Sequence, residues 1–376
     1  MSDAIAYRIG TYRAADPQQT WERVQPMLSR FAITRVADIT DLDDIGLPVH
    51  LAYRPTSQTY AVSIGTGESA PQSRVSAVME SIEAWHAENL ELPIIVRAPA
   101  AALSLGYDVR ALDLAHRSPL TPATVLDWVT GRGLLTGREI MAPVDFIRLD
   151  ATAAPDWSRV LFRPTSNGLA TGNTEAEAVL HGLHELIERD SVAAHLESPR
   201  AGRRYVDPAG CRNPSTRRVY EALLAADCTV LVCDITGSTG LPCYDATIWS
   251  TDVPVRYGGF GCHVDRGIAL GRALAEAAQS RLGAISGARD DLDPGMYRAM
   301  TPPPEPVETA SFPQDAGWDG GGDLQSVIRH AASLVASVTG AEPFMVRLDH
   351  PDIGLPAVKV LAPGLRMRGL SERSTR

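Results

Sequence analysis

The hydrophobic pattern along the chain is helical in five stretches and extended in several others. Over Ser73 to Asn89, Val75, Val78, Met79 and Ile82 cover most of a helix surface and leave one polar stripe: Ser76, Glu80 and Glu83, at i, i+4 and i+7. At about 100° per residue these three fall within roughly 60° of arc. A longer helix is expected from Thr174 to about Leu196, where Leu180, Leu183, Leu186 and Ile187 border a stripe of Asn173, Glu177, His181, Glu185 and Glu188, with Arg189 adjoining. A third covers residues 266–291; Arg272, Glu276 and Gln279 share a side, and Arg281 and Arg289 follow. A polar stripe bounded by apolar faces marks a half-buried helix.

Two further helices are expected at Pro17 to Phe31 and Leu324 to Thr339. Strands are expected at Cys228 to Ile235 and at residues 246–250, 255–264, 344–350 and 358–364, from their β-branched and aromatic content. The turn-rich run Pro164 to Gly172 opens directly onto the second helix and points backbone groups at its start. Met300 to Gly322, dense in Pro and Gly, reads as a long loop or lid.

Composition narrows the class. The 376 residues are 44% hydrophobic and 21% charged, which excludes disorder and fibre and allows one large mixed domain or two sharing a core. A formal charge of −10 argues against nucleic acid as the main partner. Five cysteines without a CxxC pair make neither a disulfide framework nor a zinc knuckle. With no signal-like segment and no long apolar run, the cytoplasm is the expected compartment and no membrane partner is expected.

The chemistry rests on the striped helices. Charged residues on one helix side are usually solvated, but like charges at i, i+4 repel, and neither acidic stripe carries lysines at the matching spacing. Clustered carboxylates suit Mg²⁺ bridging a nucleotide's phosphates, because magnesium takes oxygen ligands and shares them with phosphate and water. Glu83 to His86 also reads as ExxH, half of a di-iron motif, but a second copy is absent from the sequence. No GxxxxGK[ST] loop and no GxGxxG after a strand occurs, so a nucleotide site here is neither P-loop nor Rossmann.

At residues 76–88 (SAVMESIEAWHAE), 166–190 (SNGLATGNTEAEAVLHGLHELIERD) and 272–291 (RALAEAAQSRLGAISGARDD) the chain resembles the YcaO family, ATP-dependent enzymes that activate peptide backbone amides. The resemblance extends from about residue 7 to 363 and implies an α+β fold of mixed, largely antiparallel sheets with packed helices. It implies an N-terminal segment, 1–60, packed on a catalytic domain, 61–363, with a flexible tail, 364–376. It implies ATP and Mg²⁺ as cofactors, with Ser76, Glu80, Glu83, Asn173, Glu177, His181, Gln279 and Arg281 on the nucleotide. Glu80, Glu83, Glu177, Glu185 and Glu188 would hold the metal, and Arg189 and Arg281 would act on the phosphates.

Three positions depart from the family pattern: Thr66 replaces a lysine, Ala84 an arginine and His181 a common glutamine. The opening FAITRVADITDLDDIGLPV, residues 31–49, and the ending IEAWHAE resemble members that work beside a TfuA partner in thioamide formation. A precursor peptide, a TfuA-like partner, a sulfur donor and a homodimer follow as expectations. The alternatives are an azoline-forming cyclodehydratase of the same family, or a scaffold that binds peptide or partner without turning over ATP, which Thr66 and Ala84 motivate.

Overall fold

The computed structural model describes residues 6–8, 11–149, 160–199, 202–288, 295, 300–305, 307–314, 323–348, 350 and 352–367. Among these, the strands form four sheets. A hairpin joins β1 (Ala6–Arg8) and β2 (Thr11–Arg13). Strands β3 (Arg35–Asp38), β4 (Val49–Tyr53) and β5 (Val62–Thr66) make a three-stranded sheet in that order, so hydrogen-bonded neighbours span the expected border at residue 60. The six-stranded sheet holds β6 (Val96–Pro99), β7 (Val125–Gly133), β8 (Glu139–Pro143), β9 (Leu169–Thr171), β15 (Phe344–Arg347) and β16 (Ala357–Leu361). The fourth runs β13 (Tyr257–Cys262), β12 (Cys243–Trp249), β11 (Thr229–Asp234), β10 (Arg204–Asp207), β14 (Ala310–Ser311). Only β10 with β14 is parallel among the described pairs. The fold is therefore α+β with largely antiparallel sheets.

Helix α1 (Pro17–Val24) starts with an Asp16–Gln19 capping box and gives way to a 3₁₀ turn at Gln25–Phe31. The single helix expected over 17–31 breaks there because Pro26 has no N–H to donate to the preceding turn. The striped helices appear as α2 (Ala70–Glu88), α4 (Glu175–Glu197) and α6 (Arg266–Ile285). A short α3 (Val144–Ile147), α5 (Pro214–Ala225) and α7 (Leu324–Thr339) complete the described set. Arg289 lies outside the described residues.

Helix α2 packs on β4 and β5, α6 on β12 and β13, and α4 between β9, β16 and α7. Leu183 and Ile187 of α4 are buried with Val358 and Val360 of β16 and Val335 of α7. Each such side chain contributes roughly 1.5–3 kcal/mol over an exposed one.

Two segments expected to be loop or tail are held against the body over their described residues. The described part of the Pro/Gly segment, 300–305 and 307–314, is fastened to the body: Trp249 Nε1 donates to Thr301 O at 2.8 Å, Arg256 donates to the Pro302 and Pro303 carbonyls, and Phe312 is buried against Tyr244. Its remainder, 306 and 315–322, lies outside the described residues. The tail expected from 364 is packed as far as 367, with Leu365 and Met367 buried and Arg366 N donating to Asp190 at 2.9 Å; residues 368–376 are not described.

Candidate functional site

Three strand–helix units converge on one cavity. Each strand leads into a striped helix: β5 into α2, β9 into α4, β13 into α6. The interval from Gly65 to Ser76 is the same as from Ala170 to His181 and from Gly261 to Arg272. Each helix then carries its polar positions at i, i+4 and i+7: Ser76, Glu80 and Glu83; His181, Glu185 and Glu188; Arg272, Glu276 and Gln279. The glycines permit the close approach. A Cβ on Gly65 would collide with the backbone of Ser73 and Ala77, and one on Gly261 with Ala269 and Ala273.

All nine of these side chains line a cavity of about 1000 Å³, together with Asn173, Arg189, Arg163 and Arg13. Glu83 accepts hydrogen bonds from the N–H and hydroxyl of Thr171, both at 3.0 Å. Even so its pKa is pushed up to about 8, by burial first and then by Glu80 and Glu185. Glu188 is raised to about 7 by burial and by Glu276. Glu185 accepts from Gly168 N at 3.0 Å and faces Arg189 at 3.7 Å. Burial opposes the charge of Arg189, but Glu185, Glu188 and Glu276 hold its pKa above the ordinary value. Buried carboxylates crowded by like charges beside arginines make a site that gains from a cation on one side and an anion on the other.

His181 is held well below its usual pKa, by burial first and then by Arg272, Arg13 and His184. A neutral imidazole donates and accepts like an amide, so it can stand where relatives carry glutamine. Thr66 lines the cavity and donates to Pro48 O at 3.2 Å, while Ala84 lines it without a charge. The cations there are Arg13, Arg163, Arg189 and Arg272. Below the floor lies Lys359, the only lysine of the sequence; it is buried, and its Nζ donates to Thr165 O at 2.7 Å. Burial pushes its pKa down to about 8, against the pull of Glu185 and Asp113.

Two expected site residues stand apart. Arg281 is absent from the cavity wall: it is buried with its guanidinium on Asp43 at 3.0 Å and Asp252 at 2.8 Å, and it donates to Ser250. Lying two residues beyond Gln279, it points about 200° round the helix, into the body. Glu177 is also outside the wall; its carboxylate accepts from Asn173 N at 2.7 Å and from Ala14 N, tying the N-terminal segment to α4. Arg272 and Glu276, which the sequence pattern places on the side of Gln279 as residues that would complete an anionic-ligand and metal pocket, line the cavity with it. Arg13 left no signal in the sequence, because it reaches the cavity from a hairpin far away along the chain.

Among the described residues no three His, Cys, Asp or Glu side chains converge to hold a metal alone.

The sequence pattern of the family described as YcaO cyclodehydratase, ATP- and Mg²⁺-binding, matches residues 64–366. An uncharacterised protein of Mycobacterium tuberculosis is 36% identical over 392 residues, covering 99% of this chain and 86% of that one. An uncharacterised protein from the tfuA 3′ region of Rhizobium leguminosarum bv. trifolii is 32% identical, covering 94% and 89%. Among solved structures, a heterocyclase in complex with substrate and cofactor superposes with a TM-score of 0.78 at 23% identity, over 94% of this chain and 53% of that one. This chain thus spans about half the length of the heterocyclase. YcaO from Methanopyrus kandleri, bound with AMPPCP and Mg²⁺, gives 0.77 at 22% identity, over 98% and 96%. The family pattern covers most of the chain, and the chain belongs to the YcaO family.

Proposed function

We propose that this protein uses ATP and Mg²⁺ to activate a backbone amide of a ribosomally made peptide, and that the product is a thioamide formed beside a TfuA-like partner. The observation that carries the activation step is the convergence of Glu80, Glu83, Glu185, Glu188 and Glu276 with arginines in one cavity, where burial and like charges raise the pKa of Glu83 and Glu188. Glu80, Glu83, Glu185, Glu188 and Glu276 line the side where the metal would sit, sharing it with phosphate oxygens and water, and Arg189 and Arg272 would meet the phosphates. Ser76, Asn173, His181 and Gln279 contact the nucleotide. Magnesium, when bound, supplies the positive charge that offsets the phosphates.

A sulfur nucleophile adds to the amide carbon, and the resulting oxyanion takes the γ-phosphoryl from ATP as ADP leaves. Collapse of the adduct breaks the C–O bond, expels inorganic phosphate and leaves the C=S bond. The protein's task is to hold the reacting groups in line and balance their charge. The choice of sulfur rests on the relative in the tfuA 3′ region. The family description and the heterocyclase similarity support a second reading, in which a peptide side chain is the nucleophile and an azoline the product.

Calorimetric titration with AMPPCP, with and without Mg²⁺, tests the nucleotide step on the wild type and Glu188→Gln. Magnesium-dependent binding that the substitution removes supports the assignment; no binding with the TfuA-like partner present returns the scaffold reading. With peptide, ATP and sulfide, mass spectrometry separates the products: oxygen exchanged for sulfur in one case, one water lost in the other.

A further inference from the structure

A second cavity, of about 460 Å³, opens on the far side of α1 and of the first turn of α2. Strand β3 forms one wall. It pairs only with β4 among the described strands, so its outer edge carries no partner strand. Ile39 N donates to Val49 O at the strand's end. Bonded and non-bonded positions alternate along an antiparallel ladder, so Arg35 and Ala37 bond inward while Val36 and Asp38 turn their backbone N–H and C=O outward. Val36 and Asp38 both line the cavity.

The floor is apolar at one end and cationic at the other. Trp21, Leu28 and Ile33 lie beside Val36. At the Asp38 end, Arg74 stacks 4.9 Å from the Trp21 ring centroid and His50 lies 3.8 Å from the Asp38 carboxylate. The Asp38 carboxylate accepts from the backbone N–H and hydroxyl of Thr40, and Arg74, whose charge also acts on Asp38, lines the groove as the cation at this end. Arg35, exposed on the same strand, adds a second positive charge.

We propose that this groove receives an extended segment of the substrate peptide, added as a fourth strand along the outer edge of β3. Its side chains alternate, so an aliphatic residue enters the Leu28–Ile33–Val36 end and an acidic residue two positions away meets Arg74. Charge complementarity selects the acid in a chain that is otherwise net negative. The location selects the substrate as occupant: Trp21 and Arg74 face the groove, while Thr20 and Val75, their neighbours in sequence, line the nucleotide cavity. This proposal rests on the peptide-modifying function above.

Random-peptide phage selection on the full chain, followed by fluorescence anisotropy with the selected peptides, tests it. The expected consensus is an aliphatic and an acidic residue two apart. Arg74→Glu should weaken binding by at least about tenfold, the scale of one lost charge-assisted hydrogen bond. Val36→Pro should do the same by removing an outward N–H, a position where edge strands tolerate proline. Arg74→Gln serves as the second variant if either fails to fold, and AMPPCP–Mg²⁺ binding should stay unchanged in all three. Peptides that bind the variants as tightly as the wild type, or lack the pattern, overturn the proposal. So does a change of oligomeric state on Arg74→Glu without peptide binding, which would make the groove a contact between copies. If wild type selects the pattern yet binds no AMPPCP, the ATP assignment fails and the groove stands.

Discussion

Glu83 and Glu88 sit little more than one turn apart on the same helix, and their surroundings push them in opposite directions. Glu88 is buried, yet Arg54, Thr59 and Ser57 overcome the burial and hold its pKa below the ordinary range. Glu83 accepts from Thr171 and has like charges beside it, and its pKa is pushed up to about 8. Arg281 and Arg189 both have carboxylate partners but differ in access: the first is closed in by Asp43 and Asp252, and the second stands at a cavity wall. A buried charge with a complete set of partners holds the fold together. A buried charge left among its own kind is waiting for something the chain does not supply.

That contrast can be broken most forcefully at Glu88. Arg54→Ala leaves its carboxylate buried without a guanidinium and should cost about 3–5 kcal/mol in urea denaturation. A loss below about 1 kcal/mol would mean that the two glutamates are not energetically distinct.

Glu83→Gln should act with the opposite sign, raising the stability of the unliganded protein by about 1 kcal/mol near pH 8 while removing Mg²⁺-dependent AMPPCP binding. A destabilised apo protein in a melting experiment would contradict the charge assignment.

The pH dependence follows from the same two groups. Their folded pKa values, about 8 for Glu83 and about 7 for Glu188, lie above the ordinary 4.5. Their contribution to stability is therefore fully present below pH 4.5 and declines as pH rises toward 7 to 8, whereas that of Glu88 is present above 4.5 and is lost on acidification. Metal binding should strengthen over pH 6 to 8 and release protons, which calorimetry in Tris and Hepes would count. Heats independent of buffer would remove the raised carboxylates from the metal site.

The smallest effect is expected at Thr66→Lys, which restores the family's cation in a cavity that already contains Arg13 and Arg272. AMPPCP should bind only about two- to fivefold tighter, as for an exposed ion pair.

Much of this arrangement could be read before any coordinates. The i, i+4, i+7 stripes located α2, α4 and α6 and the nine polar side chains they send into the cavity, because helical periodicity is local. What stayed hidden was contact between distant segments. Glu177 has the right spacing, but only the fold brings Ala14 N to its carboxylate. Arg281 follows a stripe residue in sequence, yet the turn of the helix carries it to Asp43. The β6–β8 strands left no assignment, since a half-buried sheet in a long loop-rich stretch gives weak alternation.

Lys359 gives the molecule a built-in reporter. It is the sequence's only side-chain amine, and β16 keeps it buried. Acylating reagents can reach that amine only when the sheet opens around it, so the rate at which this single position is tagged measures the opening of the sheet around β16 in the native state. Any cellular conjugation machinery that joins its tag to lysine side chains meets the same barrier, and would act on this chain only after it had begun to unfold.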